Sequence, residues 1–258
     1  FALRILNQNV EKDALPLVEK MIYENDFSDS SLPPNITFSD TDGGKSSIKD
    51  GKLLMEQPAG GYCYTRIFFS PDNQPLKGMI CVEYMLEQTG WGQWNQVFEK
   101  GGAWSDYLRA FYYGDGNTYL RYLNEDGSQG QYYGNYPGKY HLRILFDTEE
   151  DRYSAWIDGK LAVQNVRANN TTSAGEGIMS MQFATGNRTY DCTVAMDDLK
   201  VYYAIPPSYS VAAADYRWLT DSRIRTAPYV ADNIIDQDLN LVTQGRYGSS
   251  ITWRSSRP

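Results

Sequence analysis

The sequence predicts an all-β fold, an antiparallel two-sheet β-sandwich, and three observations carry the prediction. Between residues 21 and 204, apolar and aromatic residues fall into a series of short runs of strand length. Gly, Pro, Asn or Asp bounds each run, which is the punctuation of turns. Along the runs apolar and polar side chains alternate, as they do where one strand face is buried and the other is wet.

Taken in order, residues 1–20 stand apart from that pattern. "NVEKDALPLVEK" sets Val10, Leu15 and Val18 on a partial helical stripe that Pro16 interrupts. The segment reads as helix or connector, an N-terminal linker or the tail of a preceding module. Strands are then predicted at "MIYENDF", "KLLMEQP", "YCYTRIFFS", "KGMICVEYMLEQ", "WNQVFEK", "YLRAFYY", "TYLRYLN", "YHLRILFD", "RYSAWID", "LAVQN", "IMSMQFA" and "TVAMDDLKVYYA". In the eighth, Tyr140, Leu142, Ile144 and Phe146 share one face, and His141, Arg143 and Leu145 the other. "GDGN" after Tyr113 and "NEDGS" after Leu123 are hairpin turns, with Gly supplying the positive φ. Nothing from 21 to 204 demands a helix. Pro206–Pro207 then opens an extended linker, 205–230, in which "VAAADYRWLTDSRIR" is weakly helical, and 231–258 forms a last segment.

Bulk composition narrows the partners. A net charge of −8 and a pI of about 4.8 make nucleic acid and anionic membrane poor partners. No apolar run approaches the roughly 20 residues of a spanning helix, and "FALRILNQN" has neither the apolar region nor the cleavage site of a signal peptide. Cys63, Cys81 and Cys192 lie far apart in apolar runs, so they read as small buried hydrophobes. One disulfide stays open as an alternative, and no zinc spacing occurs.

Two stretches carry a resemblance. "YHLRILFDTEEDRYSAWIDGKLAVQN" and the closing "VAMDDLKVYY" resemble the laminin-G-like, concanavalin-A-like jelly roll over residues 21–204. The resemblance implies that the last strand pairs beside the first, "YENDF". That fold hosts lectins, carbohydrate-binding modules, glycosidases and lyases, so it leaves the ligand open. It also implies a structural calcium ion where those two strands meet, held by Glu24, Asp26 and Asp198. Near the C-terminus Asp238, Leu239, Leu241, Gly245 and "GSSITWRSS" with Trp253 resemble the opening of an atrophied bacterial Ig-like repeat. Abundant Tyr, a single His and many Asn/Gly/Ser turns resemble the composition of secreted bacterial polysaccharide-active proteins.

Site candidates come from residue chemistry. A sugar offers flat C–H faces and a rim of hydroxyls, and it is met by an aromatic ring below and polar side chains at the edge. Trp91, Trp94 and Trp104 stand in glycine-rich surroundings with no obvious core position, and are the stacking candidates. Alternation gives a polar strand face of Arg109, Tyr113, Tyr119, Arg121, His141, Arg143 and Glu83, should those strands be neighbours. Arginines there suit a uronic acid or a heavily hydroxylated sugar. Catalytic patterns are weaker: His141 is the single histidine, and no Glu-x-Asp-x-x-Glu or Glu-x-Asp-x-Glu strand motif occurs. The expected function is a non-catalytic carbohydrate-binding module of a secreted bacterial multimodular enzyme, joined covalently to a catalytic module that degrades polysaccharide. The alternatives are a jelly-roll lyase or hydrolase using the Arg/Tyr/His face, and a structural or adhesive spacer.

Overall fold

A computed structural model describes residues 2–5, 14–70, 72, 74–90, 94–99, 107–108, 111–115, 119–124, 126, 128–133, 138–168, 176–186, 189–207, 215–216, 218–219 and 240–254. The chain forms two compact units, Val18–Ala204 and a second made from Phe1–Leu17 with Ile205–Pro258.

The larger unit is an antiparallel two-sheet sandwich. Its first sheet runs β15 (Lys160–Arg167), β14 (Arg152–Ile157), β13 (Lys139–Asp147), β7 (Met79–Gly90), β17 (Cys192–Ile205), β5 (Lys52–Gln57) and β4 (Lys45–Lys49). β2 (Leu17–Asn25) also pairs with β17, so the first and last strands of the sandwich lie side by side. The second sheet runs β12 (Gln129–Tyr133), β11 (Tyr119–Leu123), β10 (Phe111–Asp115), β8 (Trp94–Glu99), β16 (Ser180–Gly186), β6 (Tyr62–Phe68) and β3 (Ile36–Phe38). β9 (Tyr107–Leu108) pairs with β8 off that path.

Alternation decides which side chains fill the space between the sheets. From the first sheet come Ile80, Val82, Tyr84 and Leu86 of β7, and Tyr140, Leu142, Ile144 and Phe146 of β13. From the second come Trp94 and Phe98 of β8, Met181 and Phe183 of β16, and Cys63 and Ile67 of β6. Aromatic pairs lock the layers together. Phe98 meets Phe146 edge-on at 4.6 Å between centroids, and Tyr84 meets Phe183 at 5.9 Å. The Tyr84 hydroxyl crosses between the sheets to donate to Gln96 Oε1 at 2.9 Å. All three cysteines are buried, with no disulfide among them.

Sequence and structure differ at several elements. The first strand of the sandwich begins at Leu17, not Met21, because Pro16 stops a helix but leaves the following residues free to extend. β3, β4 and β12 were not expected. Within the run "YLRAFYY", Tyr107–Leu108 form β9 and Phe111–Tyr113 belong to β10, whose pairing with β11 shifts register between Phe111 and Tyr113.

In the smaller unit β1 (Ala2–Ile5), from the segment read as a linker, pairs antiparallel with β18 (Ile251–Arg254). The buried Asp215 carboxylate accepts the Tyr247 and Ser249 amides at 2.8 and 2.9 Å. Gly245 has no room for a side chain there, since a Cβ would stand 2.1 Å from Asp215 Cγ. Of the segment 231–258, expected to open an Ig-like repeat, residues 240–254 are described.

Candidate functional site

Pairing of β7 with β13 sets Arg143 directly opposite Glu83, on the side of the first sheet away from the core. Three of the expected site residues therefore meet. Arg143 Nε donates to Glu83 Oε2 at 2.8 Å and Arg143 Nη2 to Oε1 at 2.6 Å, while His141 Nε2 lies 2.8 Å from Oε1. A fourth group, the Tyr202 hydroxyl of β17, donates to Oε2 at 2.9 Å. Burial works to raise the Glu83 pKa, but the Arg143 guanidinium, the Tyr202 hydroxyl and His141 outweigh it and hold the carboxyl below its ordinary range. Beside them burial pushes the Cys81 thiol up to about 12. Both Glu83 oxygens are occupied and its side chain is 14% exposed, as is that of Arg143. This is a closed ion-pair cluster, with its hydrogen-bonding capacity turned on itself.

The other expected residues fall elsewhere. Tyr113, Tyr119 and Arg121 belong to β10 and β11 of the second sheet, where Tyr113 is opposite Arg121 and Asp115 opposite Tyr119. The single Arg/Tyr/His face predicted from alternation is thus divided between two sheets, because alternation sets a side chain's face but not its strand's sheet. Trp94 is a correction. It lies in β8 rather than a loop, is 1% exposed, and packs on Phe183 at 5.5 Å, so it is a core residue and offers no ring to a ligand. Trp91, Trp104 and Arg109 lie outside the described residues.

The carboxylates of Glu24 and Asp26, two of the expected calcium set, have local partners. Glu24 Oε1 stands 3.5 Å from Lys200 Nζ, and Asp26 Oδ1 accepts the Ser28 amide at 3.0 Å. Asp198 has φ 50° at a register shift in β17, and its amide donates to Asp197 Oδ1 at 2.8 Å, so the Asp-Asp pair builds a bulge. Among the described residues no group of three or more His, Cys, Asp or Glu is arranged to hold a metal ion.

A second polar surface, not expected from the sequence, lies on the outer face of the second sheet. In β6 the core takes Cys63, Thr65 and Ile67, which leaves Tyr62, Tyr64, Arg66 and Phe68 on the other side. The alternation in "YCYTRIF" is the signal that could have found them. Thr37, Arg66, Gln182 and Val97 form one row across β3, β6, β16 and β8, and Tyr64, Ala184 and Asn95 the next. Thr37, Ser39, Tyr64, Arg66 and Gln182 line a cavity of about 460 Å³ there. The Tyr62 and Tyr64 rings run 15° from parallel with centroids 6.5 Å apart. Tyr62 occupies the space over Gly186, where a Cβ would stand 2.2 Å from its ring.

Arg66, which lines this groove, also belongs to an ion pair. Glu99 is 1% exposed, and its Oε1 accepts Arg66 Nη2 at 2.7 Å while Oε2 accepts Ser180 Oγ at 2.5 Å. Around it the polar capacity is incomplete. Arg66 Nε, Gln182 Oε1 and Asn95 Oδ1 are withdrawn from water and have no hydrogen-bond partner among the described residues. Each such group costs roughly 1–3 kcal/mol while unpaired.

No family model and no curated protein sequence matches the chain. Solved structures do. The catalytic domain of an endo-1,3-beta-glucanase (laminarinase) from Thermotoga petrophila RKU-1 is 12% identical, with 73% of this chain and 99% of that one covered at a TM-score of 0.53. At that identity the likeness shows the fold, a jelly-roll sandwich, and nothing of the chemistry. The Emp47p carbohydrate recognition domain is 13% identical over 72% of this chain and 94% of its own, with a TM-score of 0.45. A sialidase is matched at 12% identity and a TM-score of 0.48 over 65% of this chain, which spans 17% of that protein's length.

Proposed function

We propose that the chain is a non-catalytic carbohydrate-binding module of a secreted bacterial polysaccharide-degrading protein, and that it takes its glycan on the outer face of the second sheet. The observation that carries this is the groove over β6 and β16. A Tyr64 ring shares the groove with the hydroxyls of Thr37 and Ser39, and Arg66 lies opposite Gln182 in register. Sugar hydroxyls accept and donate at once, so they suit a groove that offers hydroxyls, a guanidinium and an amide together. The ring supplies the flat apolar surface.

The described lining of the groove holds no pair of carboxylates, whereas glycoside hydrolysis uses two. Binding accounts for the residues that are there. A shallow site of this kind is weak alone and gains through effective concentration when a catalytic module is tethered to it.

The test is a glycan array probed with the full chain, followed by calorimetry on the best ligand. Tyr64→Ala and Gln182→Ala should each weaken binding on the order of tenfold, one by loss of stacking and one by loss of a hydrogen bond. Binding that survives both substitutions but is abolished by Arg143→Ala would move the site to the first sheet. No binding anywhere on the array would remove the sugar-receptor reading, leaving the spacer.

A further inference from the structure

We infer that Glu99 makes the groove selective for neutral over acidic glycans by cancelling the charge of Arg66. The inference rests on the sugar-binding reading above and names the class of sugar. An arginine in a sugar groove ordinarily invites a uronate, because its guanidinium forks onto a carboxylate with two parallel hydrogen bonds. Here the guanidinium already carries a carboxylate partner, Glu99, bonded through Nη2.

The local sequence explains how. β8 reads "WNQVFE", with Trp94 and Phe98 directed into the core, so that Asn95, Val97 and Glu99 fall on the opposite face. Glu99 lies opposite Ser180 in register, and Arg66 reaches it across β16. A carboxylate this deeply buried is tolerated only when it is paired and hydrogen-bonded, and both of its oxygens are.

Three consequences follow for an approaching ligand. One guanidinium N–H, on Nη2, is spent on Glu99, so a uronate forking onto Arg66 must share the cation with a carboxylate already bound to it. The formal charge of the pair is zero, and in a partly desolvated site an incoming carboxylate would meet Glu99 at low effective dielectric. The groove's other polar groups, the hydroxyls of Thr37, Ser39 and Tyr64 and the Gln182 amide, are neutral, so they suit sugar hydroxyls and add no cation for a carboxylate. The whole chain, at −8, opposes a polyanion in the same sense.

The test compares cellohexaose, laminarihexaose and xylohexaose with hexagalacturonate, using the full chain and its Glu99→Gln variant, by calorimetry at low and high salt. Wild type should bind at least one neutral hexaose and bind hexagalacturonate at least about tenfold more weakly. In Glu99→Gln, whose amide preserves the shape while removing the charge, the neutral-to-acidic affinity ratio should fall on the order of tenfold, and the fall should shrink in high salt. An unchanged ratio in a folded variant would overturn the inference, because a merely structural role lowers both affinities in parallel. Should the variant fail to fold, wild-type preference for hexagalacturonate, or equal binding of the two classes, would overturn it alone. Binding of none of the four probes, with an empty array, would instead remove the sugar-binding reading on which it rests.

Discussion

Glu83 and Glu99 show what a single carboxylate does in two settings. Glu83 takes four contacts from Arg143, His141 and Tyr202, and so ties β7, β13 and β17 together. Removing its charge strands a largely buried guanidinium, and Glu83→Gln should cost roughly 2–4 kcal/mol in chemical denaturation. The pH dependence has a definite sign. A carboxyl held below its ordinary range in the folded state contributes stability above the unfolded-state value of 4.5 and loses it as pH falls through the folded value. Wild type should therefore lose stability on acidification below about pH 4.5, and Glu83→Gln should lose less. An equal acid slope in the two proteins would show that Glu83 is not the titrating group. Alternation made Glu83, His141 and Arg143 legible as an outward set. Tyr202 was not, since its hydroxyl reaches Glu83 from a strand remote in sequence. Trp94 was misread because the glycines around it look like a loop, whereas the strand begins at that residue and turns it inward.

At the scale of the element, turns were the easiest part to read. "WIDGK" closes the β14–β15 hairpin with Asp158 at φ 51° and Gly159 at φ 77°. Asp158 Oδ1 accepts the His141 amide at 2.9 Å, anchoring the turn to the neighbouring strand. A Cβ at Gly159 would touch nothing within 4 Å, so Gly159→Ala tests backbone conformation alone and should cost about 1 kcal/mol. At Gly90, also at positive φ, a Cβ would stand 2.3 Å from the Asp191 carbonyl oxygen. Gly90→Ala should thus cost clearly more, and equal unfolding midpoints for the two variants would contradict this account. Edge strands were the hardest part. β3 follows Pro33–Pro34 and spans three residues, β4 is "KSSIK" and β12 is "QGQYY". Short, polar or glycine-bearing strands are what sheet edges use to avoid pairing with other chains, and for that reason they carry little apolar signal.

For the whole molecule, the sandwich was visible in the sequence but the partition of its strands was not. β7 lies in one sheet, β8 to β12 in the other, β13 to β15 in the first again, then β16 and β17 in opposite sheets. Nothing in alternation records that order, so residues of like character were assigned to one face when they lie on two. The same partition brings Thr37, Tyr64, Arg66 and Gln182 together from segments distant in the chain, which is why the groove was not seen from the sequence. Its chemistry, one aromatic ring with hydroxyls, an amide and a guanidinium neutralised by Glu99, is the basis of the proposed function. The most direct test is a crystal structure of the chain with the tightest-binding glycan from the array. Sugar density against Tyr64, with hydroxyls between Arg66 and Gln182, is the predicted result; density over Glu83 and Arg143 on the opposite sheet would contradict it.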